Sequence, residues 1–210
     1  MTERNQNASG VLHESEVQID EDAQLLQRFV GGDRSAFQRL VERWRTPLVR
    51  YLDRFLGDRE RAEDIAQEVL VNLYRHADQY RARPGVKFSS YLFRMATNAG
   101  LNERKRLARR LSTRPLERGE DEEEHVVEDL ATPSAEACVA AAEVEQAIRR
   151  GLAALPERQA AALVLASYHG LSLSEIGESL DISAMAVKSL LNRARESLKR
   201  TLAPMLEESA

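Results

Sequence analysis

GLSLSEIGESLDISAMAVKSLLNRARESLKR, residues 170–200, decides the architecture of this chain. Gly170 ends the helix before it. Ser172-Leu173-Ser174-Glu175 reads as a capping box: the serine hydroxyl accepts from a backbone N–H three residues on, and the glutamate reaches back. A short helix follows, with Ile176 and Leu180 inward. Asp181-Ile182-Ser183 reads as a tight turn, with Ser183 as the N-cap of a last long helix. On that helix Val187, Leu190, Leu191, Ala194 and Leu198 share one face. Met185, Lys188, Ser189, Asn192, Arg193 and Glu196 share the other. A short helix, a turn and a longer helix with donors on its free side form a helix-turn-helix, and the major groove admits such a helix. Lys188 and Arg193 suit guanine edges or phosphates, and Asn192 suits adenine. Ser183, Ser189 and Arg195 complete the candidate duplex-reading set, with Lys199 and Arg200 in reach of flanking phosphates. The competing reading is a solvated face on a small helical bundle.

The same helical period runs through the rest of the chain. Leu152 to Leu155 ends one helix, Pro156 stands near the start of the next, and that helix reaches about His169. Further back, Leu25, Leu26, Phe29 and Val30 form a stripe broken by Gly31-Gly32. Asp33 caps a second helix whose apolar residues run from Phe37 to Leu56, and Gly57 suits its end. Pro47 is expected to kink or divide that helix. Asp58 caps a third, with Ala62, Ile65, Ala66, Val69 and Leu73 on one side. Residues 81–87 contain Pro84-Gly85 and read as a loop; Ser89 or Ser90 should open a fourth helix running to about Arg110. No strand alternation is visible. The expectation is an all-α protein of two helical bundle domains, 21–110 and 136–203, joined by a flexible acidic linker over 111–135. Residues 1–20 and 204–210 read as tails.

Composition agrees. Hydrophobic residues make up 43% of the chain, enough for packed cores, and charged residues 30%. The net charge of −4 hides an uneven distribution. Between Arg81 and Arg110 stand Arg81, Arg83, Lys87, Arg94, Arg104, Lys105, Arg106, Arg109 and Arg110 against Glu103 alone. Between Glu117 and Asp129 the acids stand against Arg118 alone. The single cysteine, Cys138, forms no intrachain disulfide and fits a reducing compartment, with buried packing as its ordinary role. No run is apolar enough to cross a bilayer and the first residues carry no signal-peptide pattern, so a cytoplasmic location is expected. His13, His76, His125, His169 and Cys138 make no metal-spaced cluster; neither a metal nor a cofactor is expected.

Two further constellations stand in the first block. Tyr80, Arg81, Arg83 and Lys87 precede a helix bearing Phe88, Tyr91, Asn98 and Asn102. Cations interleaved with aromatic rings suit single-stranded nucleic acid and a base turned out of its stack. Asn98 and Asn102 lie an i, i+4 step apart, and their amides can both donate and accept. Alternatively Tyr91, Leu92 and Met95 are core and the arginines merely solvated. Asp64, Gln67, Glu68 and Asn72 line the outer side of the third helix; by themselves they specify no partner.

Taken together, these segments resemble the extracytoplasmic-function (ECF) sigma factors, the compact type with two conserved domains. Asp64-Ile65-Ala66-Gln67-Glu68-Val69-Leu70 resembles the family's polymerase-docking segment, Phe88 to Asn98 its segment for opening and reading the minus-ten element, and Gly170 to Glu196 its region 4, which reads the minus-thirty-five element. The resemblance implies that Asp64, Gln67, Glu68 and Asn72 meet the clamp helices of the polymerase β′ subunit. It implies that Tyr80 to Phe88 cradle a flipped minus-ten base, with Tyr91, Asn98 and Asn102 nearby, and that Lys188, Ser189, Asn192 and Arg193 face the upstream element. The implied partners are core RNA polymerase, promoter DNA and an anti-sigma factor, with no small-molecule substrate. Tyr91 stands where many relatives carry Trp, and Lys188 where Arg is common. The acidic linker resembles no motif; a solvated tether and a mimic of nucleic-acid phosphates are equal readings of it. A stand-alone helix-turn-helix regulator with an N-terminal interaction bundle is the alternative function. A metal-dependent nuclease is disfavoured, because Glu120 to Glu124 are consecutive in a flexible segment and cannot converge on a fixed ion. No catalytic residue is expected.

Overall fold

The computed structural model describes residues 20–83, 85–113 and 135–208. They form eight α-helices: α1 (Glu21–Val30), α2 (Arg34–Leu56), α3 (Arg59–Arg75), α4 (Phe88–Thr113), α5 (Ala135–Ala154), α6 (Glu157–Tyr168), α7 (Leu173–Leu180) and α8 (Ala184–Glu208). A single 3-10 turn, Ala77–Gln79, follows α3. Among the described residues the only β contact is an isolated bridge between Arg83 and Val86.

Local chemistry sets most of these boundaries. The Asp33 carboxylate accepts from the N–H groups of Ser35 and Ala36 (3.0 and 3.3 Å), satisfying donors that the first turn of α2 leaves open. Asp58 does the same for Arg61 (3.0 Å) and Ser183 for Ala186 (3.2 Å). Both halves of the capping box form: Ser172 N–H donates to Glu175 at 2.8 Å, and Glu175 N–H donates to the Ser172 hydroxyl at 3.3 Å. α7 and α8 approach so closely that a Cβ on Gly177 would lie 2.7 Å from the Ile182 carbonyl oxygen, so only glycine fits the helix-turn-helix corner.

Five features differ from the sequence expectation. α2 is undivided: Pro47 sits inside it. Proline costs about 3 kcal/mol in a helix interior, but Leu48, Val49, Tyr51 and Leu52, all buried just beyond it, hold the following turns in the core. Asp20 is the N-cap of α1, its carboxylate accepting from Ala23 N–H at 2.7 Å, and so belongs to the fold rather than to a tail. α4 starts at Phe88, ahead of either serine, because that same carboxylate also accepts from Phe88 N–H at 2.6 Å. α4 continues to Thr113 and α8 to Glu208, past their expected ends. The expected tails over 1–19 and 209–210, the expected linker over 114–134 and the Cys138 side chain lie outside the described residues.

The first bundle packs Leu26, Leu40, Leu52, Ala62, Leu73, Leu92 and Phe93 inward; the second packs Leu152, Val164, Leu165, Ile176, Val187, Leu191 and Ala194. Tyr51 is fully buried, and its hydroxyl shares a 2.7 Å hydrogen bond with the Thr97 hydroxyl, which in turn donates to Phe93 O at 2.7 Å. The two bundles meet along a seam where α7 lies on α4, and α5 and α6 lie on α2. Buried Asp53 pairs with Arg149 (3.2 Å), Arg149 with Glu145 (3.0 Å), and Glu145 with Arg54, so charges alternate across the seam. Buried Ser179 Oγ lies 2.8 Å from Glu175 O within α7 and 3.3 Å from Ser90 O across the seam, sharing its one proton between the two carbonyls.

His169, the C-cap of α6, inserts its ring at the same seam, 4.6 Å from Phe93 and 5.9 Å from Tyr51. Its Nε2 is buried without a partner. Burial, helped by the nearby Arg50 guanidinium, pushes its pKa down from 6.5 to about 4. The sign follows: above pH 6.5 the ring is neutral whether packed or exposed, whereas between 6.5 and 4 only the exposed ring takes a proton, so acid weakens the packed state. With allowance for partial exposure, the loss is about 1 kcal/mol by pH 5. Urea titrations at pH 7 and pH 5 should show wild type losing that much more stability than His169→Phe; equal losses would remove His169 from this role.

Candidate nucleic-acid and polymerase interfaces

Three faces carry the residues singled out above. The first is the outer side of α3. Burial of Ala62, Ile65, Ala66, Val69 and Leu73 leaves Asp64, Gln67, Glu68 and Asn72 exposed on the opposite side. Val71 and Tyr74 are exposed beside them, at 40% and 49%. The Tyr74 ring lies 5.0 Å from Phe29 and 5.1 Å from Phe37, so the polar row borders an aromatic cluster shared by α1, α2 and α3. Sequence reasoning missed Val71 and Tyr74; the available signal was an apolar pair three residues apart on an otherwise polar side. Arg106 pairs with buried Glu103 at 2.6 Å, and that bond first, then the charge of Glu68, favours its charged form.

The second face is the loop between the 3-10 turn and α4. A cleft of about 520 Å³ lies between the first turn of α1 (Asp20, Glu21, Ala23, Gln24) and the loop residues Tyr80, Ala82, Arg83, Gly85, Val86 and Lys87. Gly85 has φ of +73°, a conformation that side chains resist, which lets the loop turn back beside the cleft. A smaller neighbouring cavity of about 150 Å³ is lined by Tyr80, Arg81, Arg83, Tyr91 and Arg94 among others. Tyr80 and Tyr91 meet edge to face at 5.0 Å, and the Arg94 guanidinium stands 5.5 Å from the Tyr91 ring centre. Arg81 is held by the carbonyls of Asp78 and Tyr80. Burial, with the negative charge of Asp20, pushes the Tyr80 phenol up to about 12, so it stays a neutral donor.

Three of the expected members are placed differently. Phe88 is fully buried, wedged between Trp44, Tyr80 and Tyr91 (6.4, 5.7 and 6.5 Å), and backs the loop from the core rather than facing the cleft. An aromatic residue within a basic run reads as a base-stacking group, and only the tertiary fold reveals that its ring turns inward. Asn98 and Asn102 are exposed on α4 but line neither cavity.

The loop cations already have partners. Lys87 Nζ lies 2.7 Å from Glu175, and Arg83 lies 3.9 Å from Glu178, both carboxylates on α7. The hydrogen bond to Glu175 raises the Lys87 pKa. Partial burial pushes the Glu175 carboxyl up, but the bonds from Lys87 and Ser172 outweigh it and leave its pKa lowered. Glu175 thus closes the capping box and ties the helix-turn-helix to the loop.

The third face is α8. With Val187, Leu191 and Ala194 buried, Ser183, Lys188, Ser189, Asn192, Arg193 and Arg195 are exposed, and Met185 is 78% exposed. Arg193 donates to the Ser189 hydroxyl at 3.2 Å, which holds the guanidinium along the helix surface. Among the described residues no group of histidine, cysteine and carboxylate side chains could hold a metal, and no helix is long and apolar enough to cross a membrane.

A helix-turn-helix with a bare polar recognition face, joined to a bundle with a basic, aromatic loop, defines an all-helical DNA-binding protein. Residues 40–110 match the family described as Sigma-70 region 2, and residues 151–200 match Sigma-70, region 4. The chain is 30% identical to the RNA polymerase sigma-H factor of Pseudomonas aeruginosa over 90% of its own length and 98% of that protein's. It is 31% identical to the ECF RNA polymerase sigma factor SigW of Bacillus subtilis over 81% of its own length and 91% of that protein's. The sigma factor RpoE from Bartonella quintana, solved in complex with the anti-sigma factor NepR, shares the fold with a TM-score of 0.59 at 19% identity, over 80% of this chain and 96% of that one. The chain belongs to the ECF sigma factors. It is a promoter-specificity factor for transcription initiation, of a family that is not one of enzymes.

Proposed function

We propose that this chain carries out initiation with three separate faces. Asp64, Gln67, Glu68 and Asn72, bordered by Val71 and Tyr74, dock on the clamp helices of core RNA polymerase. Tyr80, Arg81, Arg83, Lys87 and Tyr91 open the minus-ten element and receive an extruded base, while Asn98 and Asn102 meet the neighbouring DNA on α4. Ser183, Lys188, Ser189, Asn192, Arg193 and Arg195 read the minus-thirty-five element. The working division is 21–110 for the first task and 136–203 for the second. The protein acts in the cytoplasm, without cofactor or metal, and makes and breaks no bond itself; binding energy holds the separated strands. An anti-sigma factor is the expected regulator, as RpoE was captured with NepR.

The observation that carries this reading is the split surface of α8, whose buried side is committed to the helix-turn-helix while its polar side stands open. Run-off transcription with purified core polymerase tests it: transcripts should appear from a cognate promoter only when the chain is added, and a stand-alone regulator would add none. Arg193→Ala should weaken use of the upstream element by about 1–3 kcal/mol if the guanidinium reads a base edge. The measurement is transcript yield across minus-thirty-five variants, and an unchanged preference would take Arg193 out of the reading set.

A further inference from the structure

The cleft beside the loop has a second wall, and the two walls are fastened together by one side chain. Asp20 Oδ1 accepts from Ala23 N–H at 2.7 Å and its Oδ2 accepts from Phe88 N–H at 2.6 Å. Each donor belongs to the first turn of a helix, where N–H groups have no partner within the helix. A single carboxylate thus caps α1 and α4 together, across 68 residues of sequence, and its charge suits both positive helix ends. Phe88 is a fixed point, because its ring is fully buried. The loop begins at Tyr80, which packs on the Phe88 ring at 5.7 Å, and ends at Lys87, next in sequence to Phe88. Both ends of the loop therefore converge on the residue that Asp20 holds. The first turn of α1 supplies Asp20, Glu21 and Gln24 to the cleft opposite Arg83 and Lys87.

We propose that the first turn of α1 is part of the base pocket and that Asp20 is a positioning residue for minus-ten recognition: its double bond to α1 and α4 sets the gap into which the extruded base fits. This rests on the reading of the loop as the minus-ten pocket. Asp20 touches no base. It acts by keeping the loop and α1 at one separation, so that the wrong base meets a wall or leaves a buried polar group unpaired, which is how a site of fixed width discriminates.

Asp20→Ala removes both bonds and frays α1, so the informative variant is Asp20→Ser. Serine keeps a hydroxyl to cap α1 but has one side-chain oxygen and cannot also hold Phe88. The assay is run-off transcription by the reconstituted holoenzyme on templates in which each minus-ten position in turn carries all four bases. Its readout is the ratio of best to worst base at the most selective position. That ratio is internal to one preparation, so a loss of active protein lowers every template alike and leaves it unmoved. Asp20→Ser should reduce the ratio by about tenfold, with the minus-thirty-five preference and core affinity unchanged. If serine leaves no measurable transcript, Asp20→Asn, which keeps the shape and one acceptor oxygen, carries the same comparison. A wild-type ratio retained within about twofold overturns the role of Asp20 and leaves the pocket standing. A wild-type chain with no base preference at any minus-ten position overturns the pocket reading, and the role of Asp20 with it.

Discussion

Glu68→Lys is expected to abolish co-elution of the chain with core RNA polymerase while leaving its fold intact. Glu68 stands near the middle of the exposed polar row on α3, between Asp64 and Asn72, and its neighbours Val69 and Leu70 are buried. If this row docks as proposed, its carboxylates face basic groups of the partner, and the reversal would set a like charge against them. Like-charge juxtaposition at an interface costs several kcal/mol, so a weakening of about 100-fold or more is expected. The cost to folding is smaller, because the side chain is exposed: the new cation faces Arg106, whose charge Glu68 now favours, and an exposed pair of this kind is worth less than about 1 kcal/mol. Co-elution on a sizing column, paired with a urea midpoint, separates the two effects. Wild-type affinity in the folded variant would show that this helix face does not dock.

The largest loss of stability is expected from Phe93→Ala. Phe93 is 1% exposed, and its ring meets Trp44, Tyr51 and His169 at 5.8, 5.4 and 4.6 Å. Removing it empties a volume that three rings from two bundles surround, and such truncations cost about 3–5 kcal/mol. That is a large share of the roughly 5–15 kcal/mol that holds a domain folded. Because His169 comes from α6 while Trp44 and Tyr51 come from α2, the loss should appear in both bundles at once. Urea unfolding followed by Trp44 fluorescence and by helical circular dichroism should shift together. A shift of less than about 1 kcal/mol would mean that the ring does not fill the seam.

The local chemistry of the fold was legible in the residues. Asp33, Asp58, Ser172 and Ser183 cap helices, Gly57 and Gly170 adopt positive φ at helix ends, the inward stripe of α3 is buried as its spacing predicts, and that of α8 is buried at Val187, Leu191 and Ala194 and half-buried at Leu190 and Leu198. Those signals act within a few residues, so a pattern in the chain reports them directly. What escaped reading depends on partners far away. Asp20 caps a helix that starts 68 residues later, and nothing near Phe88 announces it. Pro47 signals a break, yet packing that spacing cannot weigh carries α2 through it. Phe88 has the neighbours of a DNA contact and the burial of a core residue. The same limit hid the pairing of Lys87 and Arg83 with α7, because a cation in a loop says nothing of which acid will find it.

The acids that α7 sets against the loop have a thermodynamic consequence. A nucleic-acid strand arriving at a bare cationic surface sets free the small ions condensed around it, and the entropy of that release drives the association. Here Glu175 and Glu178 stand as tethered competitors for the same two cations. If the loop captures the strand as proposed, phosphates settling on Lys87 and Arg83 would exchange one anion for another that stays attached to the polypeptide, so strand capture there would be a substitution among charges rather than a release of free ions alone.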